Sequence, residues 1–223
     1  MTRTTKKPRS SKRNQAPRPY HKGNVAKDLL AAARKLLDSE GLESLTVRRL
    51  CREVGVTPAN FYNHYPSIEH LLGHMAATAH ESIRVLIARH AKTDGSLEEK
   101  IVAATVEVVE FGVKHRDLYR VMFRQLGNME GHERHELARE QTMADLVRLI
   151  YGDDRYRPDD IAWSHKHCHK AYAAMTYTYG LARIISMGGI QFPSGTAAER
   201  KQYVRELVWV FVRGLAAPEP VSP

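Results

Sequence analysis

Residues 46–65 read Thr-Val-Arg-Arg-Leu-Cys-Arg-Glu-Val-Gly-Val-Thr-Pro-Ala-Asn-Phe-Tyr-Asn-His-Tyr, and this stretch decides the fold. Thr46 is a predicted N-cap. Val47, Leu50, Cys51 and Val54 follow as an apolar stripe at helical spacing. Gly55 supplies a turn. Thr57 then caps a second short helix, expected to end near Pro66, with Pro58 in the first position, where its missing N–H costs nothing. Two short helices joined by a tight turn are the helix-turn-helix layout, whose second helix enters the DNA major groove. Phe61 and Tyr65, one turn apart, are expected to pack inward, leaving Ala59, Asn60, Asn63 and His64 outward. Asparagine can pair with adenine N6 and N7, and alanine can touch a thymine methyl. Thr46, Tyr62 and His64 can donate to phosphates, and both helix N-termini add backbone donors.

Outward from this unit the chain reads as helix after helix, so the expected class is all-α. A helix over 24–40 carries Ala26, Leu29, Leu30, Ala33 and Leu37 at spacings of three and four. Ser67 caps a long helix bearing Ile68, Leu71, Leu72, Met75, Ala79, Ile83 and Leu86. Ser96 and Glu99 form a capping box, as do Thr196 and Glu199. Further helices are expected over 97–114, 117–126, 132–151, 159–187 and 197–215.

Charge divides the chain differently. Lys plus Arg number 34 against 25 Asp plus Glu, for a net +9. Residues 1–22 hold eight of the cations and no acid, which leaves 26 cations against 25 acids in the rest. The tail has almost no apolar side chains, so it is expected to be disordered, and such basic arms commonly bind nucleic acid. No apolar run approaches the ~20 residues of a membrane span, and the basic N-terminus has no apolar segment of a secretory signal. Two cysteines, Cys51 and Cys168, cannot frame a disulfide fold, which fits a reducing cytoplasm. The expected organisation is a basic tail (1–22), a DNA-binding domain (23–75), a helical effector-binding and dimerisation domain (76–217) and a frayed end (218–223).

The run Gly-Val-Thr-x-x-x-Phe-Tyr-x-His-Tyr at 55–65, with Leu71-Leu72 after it, resembles the tetracycline-repressor-like (TetR) family of bacterial transcription regulators over residues 24–75. The resemblance implies a three-helix DNA-binding domain followed by a helical domain that binds a small effector and pairs as a homodimer. It implies DNA contacts at Thr46, Arg48, Thr57, Ala59, Asn60, Tyr62, Asn63 and His64. It also implies a palindromic double-stranded operator and repression relieved by the effector. One position departs: many members carry a phosphate-contacting Lys where this chain has Ile68. Residues 23–75 hold six cations and six acids, so the basic tail is expected to supply the missing phosphate contacts.

In the second half, His115-Arg-Asp-Leu-Tyr-Arg-Val-Met-Phe123 resembles the opening seen in one subgroup of that family, but the later Trp-x-x-x-His-Gly run survives only as Gly180. Aromatic and Met residues cluster here. Tyr119, Met122, Phe123, Tyr172, Met175 and Tyr179 are the expected lining of an apolar effector pocket. His165, Cys168 and His169 would share one face of an unbroken helix, and His132 and His135 lie at i, i+3. A metal-responsive regulator is therefore the alternative reading. Lys166 and Lys170 oppose a cation there, and no metal or other cofactor is expected. No nucleophile elbow, phosphate-cradling Gly loop or paired-carboxylate motif appears, so no catalytic residue is assigned and an enzyme is not expected. A non-specific DNA-coating protein would explain the tail but not the large apolar second half.

Overall fold

The computed structural model describes residues 24–123, 133–190 and 196–215. The basic tail, His132 and the chain after Pro218 lie outside the described residues. The described elements are all helical: α1 (Val25–Glu40), a 3-10 turn (Leu42–Ser44), α2 (Val47–Val54), α3 (Pro58–Tyr62), α4 (Ile68–Ala91), α5 (Leu97–Lys114), α6 (Arg116–Phe123), α7 (Glu133–Tyr151), α8 (Ile161–His167), α9 (His169–Ser186) and α10 (Ala197–Leu215).

The caps fall where the sequence put them. Thr46 Oγ1 accepts from Arg49 N at 3.2 Å, and Thr57 Oγ1 from Asn60 N at 3.2 Å. Ser67 Oγ accepts from His70 N, and the Ser96–Glu99 and Thr196–Glu199 boxes close in both directions. Gly55 ends α2 at φ 78° and ψ 32°, a left-handed conformation that disfavours any Cβ. Its N–H and that of Val56 both reach Cys51 O at 2.9 Å.

Leu29, Leu37, Leu50, Phe61 and Leu71 are wholly buried and close the first three helices on one another. The Tyr65 hydroxyl donates to Ala26 O at 3.0 Å and pins the end of the recognition segment to α1. α4 begins in this core with Leu71, Leu72 and Met75 and continues into the second half with Ile83 and Ile87. There it packs against α5, α6 and above all α7. The expected division at 75/76 therefore falls inside one continuous helix.

α5 packs against both α9 and α10. At Gly112 a Cβ would stand 3.0 Å from Ala182 Cβ and 3.1 Å from Tyr119 Cε2, so the missing side chain lets α9 and the Tyr119 ring approach α5. Arg34 on α1 reaches His115, at the α5–α6 corner, at 2.7 Å. A guanidinium only donates, so His115 Nδ1 accepts and its ring is neutral. Burial, and then the Arg34 charge, lower the His115 pKa accordingly.

One expected helix is broken. The stretch 159–187 divides into α8 and α9 at Cys168, whose φ of −122° and ψ of 24° are not helical. The Tyr151 hydroxyl accepts from the freed Lys170 N–H at 3.1 Å in place of a helical carbonyl. Neither Pro nor Gly marks this break, and periodicity alone runs through it.

Candidate nucleic-acid interface and effector pocket

α2 and α3 present their capped N-termini on the exposed face of the first unit. Thr46, Arg48, Thr57, Ala59, Tyr62, Asn63 and His64 are all exposed, while Phe61 and Tyr65 are buried behind them. Each capping hydroxyl accepts from a backbone N–H and keeps its own hydrogen, which is free to donate to a phosphate oxygen. Tyr62 is 54% exposed, and its ring meets Phe61 edge-on at 5.4 Å, which steadies an otherwise solvated side chain. Arg49 faces elsewhere. It is held by Glu40 at 2.8 Å and Glu53 at 3.1 Å, which leaves Arg48, in the first turn, and Arg52, in the last, as the exposed cations of α2.

Two expectations are corrected. The regular recognition helix stops at Tyr62, and Asn63 and His64 form a turn. Tyr65 N still bonds Phe61 O at 2.9 Å, so the inward ring keeps its helical register. Asn60 is half-buried rather than outward, with Oδ1 withdrawn from solvent. It follows Thr57 by three residues and lies on the flank of α3 between the exposed face and the core.

The six expected pocket residues are only partly brought together. Met175 and Tyr179 line a cavity between α4, α5, α7 and α9, with Ile83, Met143, Thr142 and Thr178. The cavity measures about 30 Å³. Tyr119 and Phe123 do not line it but pack on Tyr179, at ring separations of 6.0 and 4.7 Å. Met122 is buried in the core. Tyr172 is turned the other way, onto His165 at 4.4 Å. Sequence reading missed the lining from α4, α5 and α7, because each of those residues looks like ordinary stripe in its own helix.

Beside the cavity lies a buried histidine pair. His80 on α4 is 2% exposed, and its ring sits 5.4 Å from that of His135 on α7. Thr142 Oγ1 donates to Ala138 O, so it accepts from His80 Nδ1 at 3.1 Å. Burial, then the His135 and Arg139 charges, push the His80 pKa down to about 3. The ring is therefore a neutral structural donor at physiological pH.

The helical break also undoes the metal face. His165 packs on Tyr172, His167 stacks on Trp163 at 4.3 Å, and His169 turns back toward Lys166 O at 3.4 Å. Cys168 is wholly buried. Among the described residues no three His, Cys, Asp or Glu side chains converge on a point that could hold a metal ion.

Capped α2 and α3, set at a tight turn with their polar residues outward, define a helix-turn-helix DNA-binding protein. Residues 29–75 match the model of bacterial regulatory proteins of the tetR family. A Haemophilus influenzae protein called an uncharacterized HTH-type transcriptional regulator is 24% identical over 189 residues, spanning 83% of this chain and 85% of the relative. A Rhodococcus sp. RHA1 protein of unknown function shares the fold at a TM-score of 0.69 and 23% identity, over 90% of this chain and all of that one. BioQ, solved with its natural double-stranded DNA operator, is similar at 0.54 and 24%, over 86% and 98% of the two chains. Residues 29–75 are thus a tetR-type helix-turn-helix DNA-binding unit, and the chain as a whole is similar to transcription regulators of that kind. None of the described helices is long and apolar enough to cross a membrane.

Proposed function

We propose that this chain is a cytoplasmic repressor that binds a palindromic operator as a homodimer and releases it when a small apolar effector binds the second half. The observation that carries the reading is the exposed polar face of residues 46–64 on two capped helices, from which α4 runs unbroken to the effector cavity. In this reading residues 23–75 contact DNA, through Thr46, Arg48, Thr57, Ala59, Tyr62, Asn63 and His64. Asn60 joins them once its side chain turns outward. Residues 1–22 add phosphate contacts, and residues 76–217 bind the effector and pair the protomers.

The cavity supports coupling because it is small: about 30 Å³ holds roughly one water molecule. An apolar effector must part α4 from α7 and α9 to enter, and the flexible Met143 and Met175 side chains yield most readily. An effector that prefers the parted form shifts the population toward it. α4 then swings the recognition helices of a dimer away from a fixed half-site spacing. For pairing, Ile184 on α9 and Val210 on α10 are 47% and 76% exposed, an apolar surface suited to a second copy. Tyr177 and Phe211, stacked at 4.1 Å, hold those two helices together.

The test is to recover genomic fragments with the purified full chain at near-physiological salt and to measure its mass in solution. An inverted repeat shared by the fragments, bound by a dimer, is the expected result. Salt-labile binding with no shared motif overturns the reading and leaves only the electrostatics of a basic arm.

A further inference from the structure

A second and much larger cleft, about 670 Å³, opens between α6 and the C-terminal end of α9. Arg116, Arg120 and Arg183 line it, with no acidic side chain among the lining residues. Asp117 engages one nitrogen of Arg120, Nη1, at 3.0 Å. Arg116 and Arg183 have no acidic partner among the described residues. Tyr119 also lines the cleft. It is 2% exposed, and its hydroxyl has no hydrogen-bond partner among the described residues. A buried hydroxyl without a partner is costly, and a ligand acceptor would satisfy it. The carbonyls at the end of α9 do not oppose an anion as free acceptors: Arg183 O takes Met187 N at 3.1 Å and Ile185 O takes Gly188 N at 3.0 Å.

The cleft is separated from the apolar cavity by a wall of three rings. Tyr119 faces Phe123 at 5.0 Å, and both meet Tyr179, which lines the apolar cavity. On the opposite side a further cleft shares Arg120 and Arg183 and reaches Thr46, at the cap of α2, and Ile68-Glu69, at the start of α4. A guanidinium cluster next to an aromatic wall, next to an apolar cavity, is a sequence of chemistries matched to an amphiphile.

We infer that the cleft between α6 and α9 binds the anionic head of an amphiphilic effector, held by Arg116, Arg120, Arg183 and the Tyr119 hydroxyl. The apolar part lies along Tyr119, Phe123 and Tyr179 and enters the small apolar cavity by displacing Tyr179. The inference rests on the effector reading above and assigns that effector its charge. Glu43 and Glu69 line the far cleft, so the anion is repelled from that end and settles toward Arg116. Drawing Arg120 and Arg183 the same way changes the charge that faces the helix-turn-helix, which links the head group to DNA binding.

Two probes of nearly the same shape separate charge from apolarity: 1-anilinonaphthalene-8-sulfonate and its uncharged parent N-phenyl-1-naphthylamine. The full chain is expected to bind the sulfonate at one site per protomer. Arg116→Gln and Arg183→Gln should each weaken it about tenfold and leave the neutral probe within about twofold. Tyr119→Phe should weaken the sulfonate without lowering the unfolding midpoint, since the ligand-free hydroxyl has nothing to lose. Dodecanoate or dodecyl phosphate should displace the probe, and which does so better tells carboxylate from phosphate. Equal affinity for the two probes, equal loss of both in the variants, displacement by dodecanol as well as by dodecanoate, or no binding at all overturns the inference. If the sulfonate binds as expected but leaves affinity for the recovered DNA fragments unchanged, the site stands and the effector reading falls. If only the neutral probe binds and releases DNA, the effector reading stands and the anion site falls.

Discussion

Acid should loosen this protein, and His80 should carry a distinct share of the loss. His80 is buried where α4 meets α7, its Nδ1 proton is given to Thr142, and His135 and Arg139 add positive charge nearby. Its pKa falls from 6.5 to about 3 in the fold. Above pH 6.5 the ring is neutral both folded and unfolded, so it contributes no pH dependence. Below that the unfolded chain takes the proton and the folded chain does not, so stability falls with pH until about pH 3. Each pH unit in that window costs about 1.4 kcal/mol, hence about 2 kcal/mol between pH 7.5 and 5. Urea unfolding across that range measures it. His80→Asn keeps a donor near the place of Nδ1 and cannot be protonated. Its stability should fall by about 2 kcal/mol less than the wild type over the same interval. Parallel pH profiles for the two proteins would refute the assignment, because every other titrating group is common to both.

Other substitutions probe the backbone and the DNA face. Gly55→Ala puts a Cβ on a left-handed residue and should cost about 1 kcal/mol, read as a lower urea midpoint with an unchanged slope. Gly112→Ala forces a methyl against Ala182 and Tyr119 and should cost about 2 kcal/mol by the same measurement. Arg48→Ala should leave stability within about 0.5 kcal/mol. It should also weaken operator binding and reduce the log–log salt slope by about 0.9, measured by fluorescence anisotropy. Removal of residues 2–20 should weaken operator binding and flatten the salt slope further. Unchanged affinity at low salt would show that the tail makes no phosphate contacts.

The DNA-reading unit was legible in the sequence because its signals are local. A cap, a stripe, a left-handed glycine and a proline at the first helical position each act within a few residues. Thr46, Gly55, Thr57 and Pro58 accordingly sit in the structure where periodicity and capping put them. Asn60 was misread because a helix of five residues gives too little periodicity to separate a flank from an outward face. The α8–α9 break was invisible because the group that takes up the freed Lys170 N–H, the Tyr151 hydroxyl, comes from another helix. The break also separates the histidines that an unbroken helix would have aligned.

By itself, then, the sequence determined an all-helical chain, the position and polarity of the helix-turn-helix, and the caps that start its helices, since these depend on neighbours along the chain. Only the tertiary structure decided what shares a cavity: Ile83, Met143 and Thr178 around one small apolar space, and Arg116, Arg120 and Arg183 around a larger polar one. Those sets come from different helices, and their meeting depends on how α4, α5, α6, α7 and α9 cross. Side-chain volumes fix those crossings, as the bare Gly112 does beneath Tyr119, and no pattern along one helix records which residues of another will lie against it.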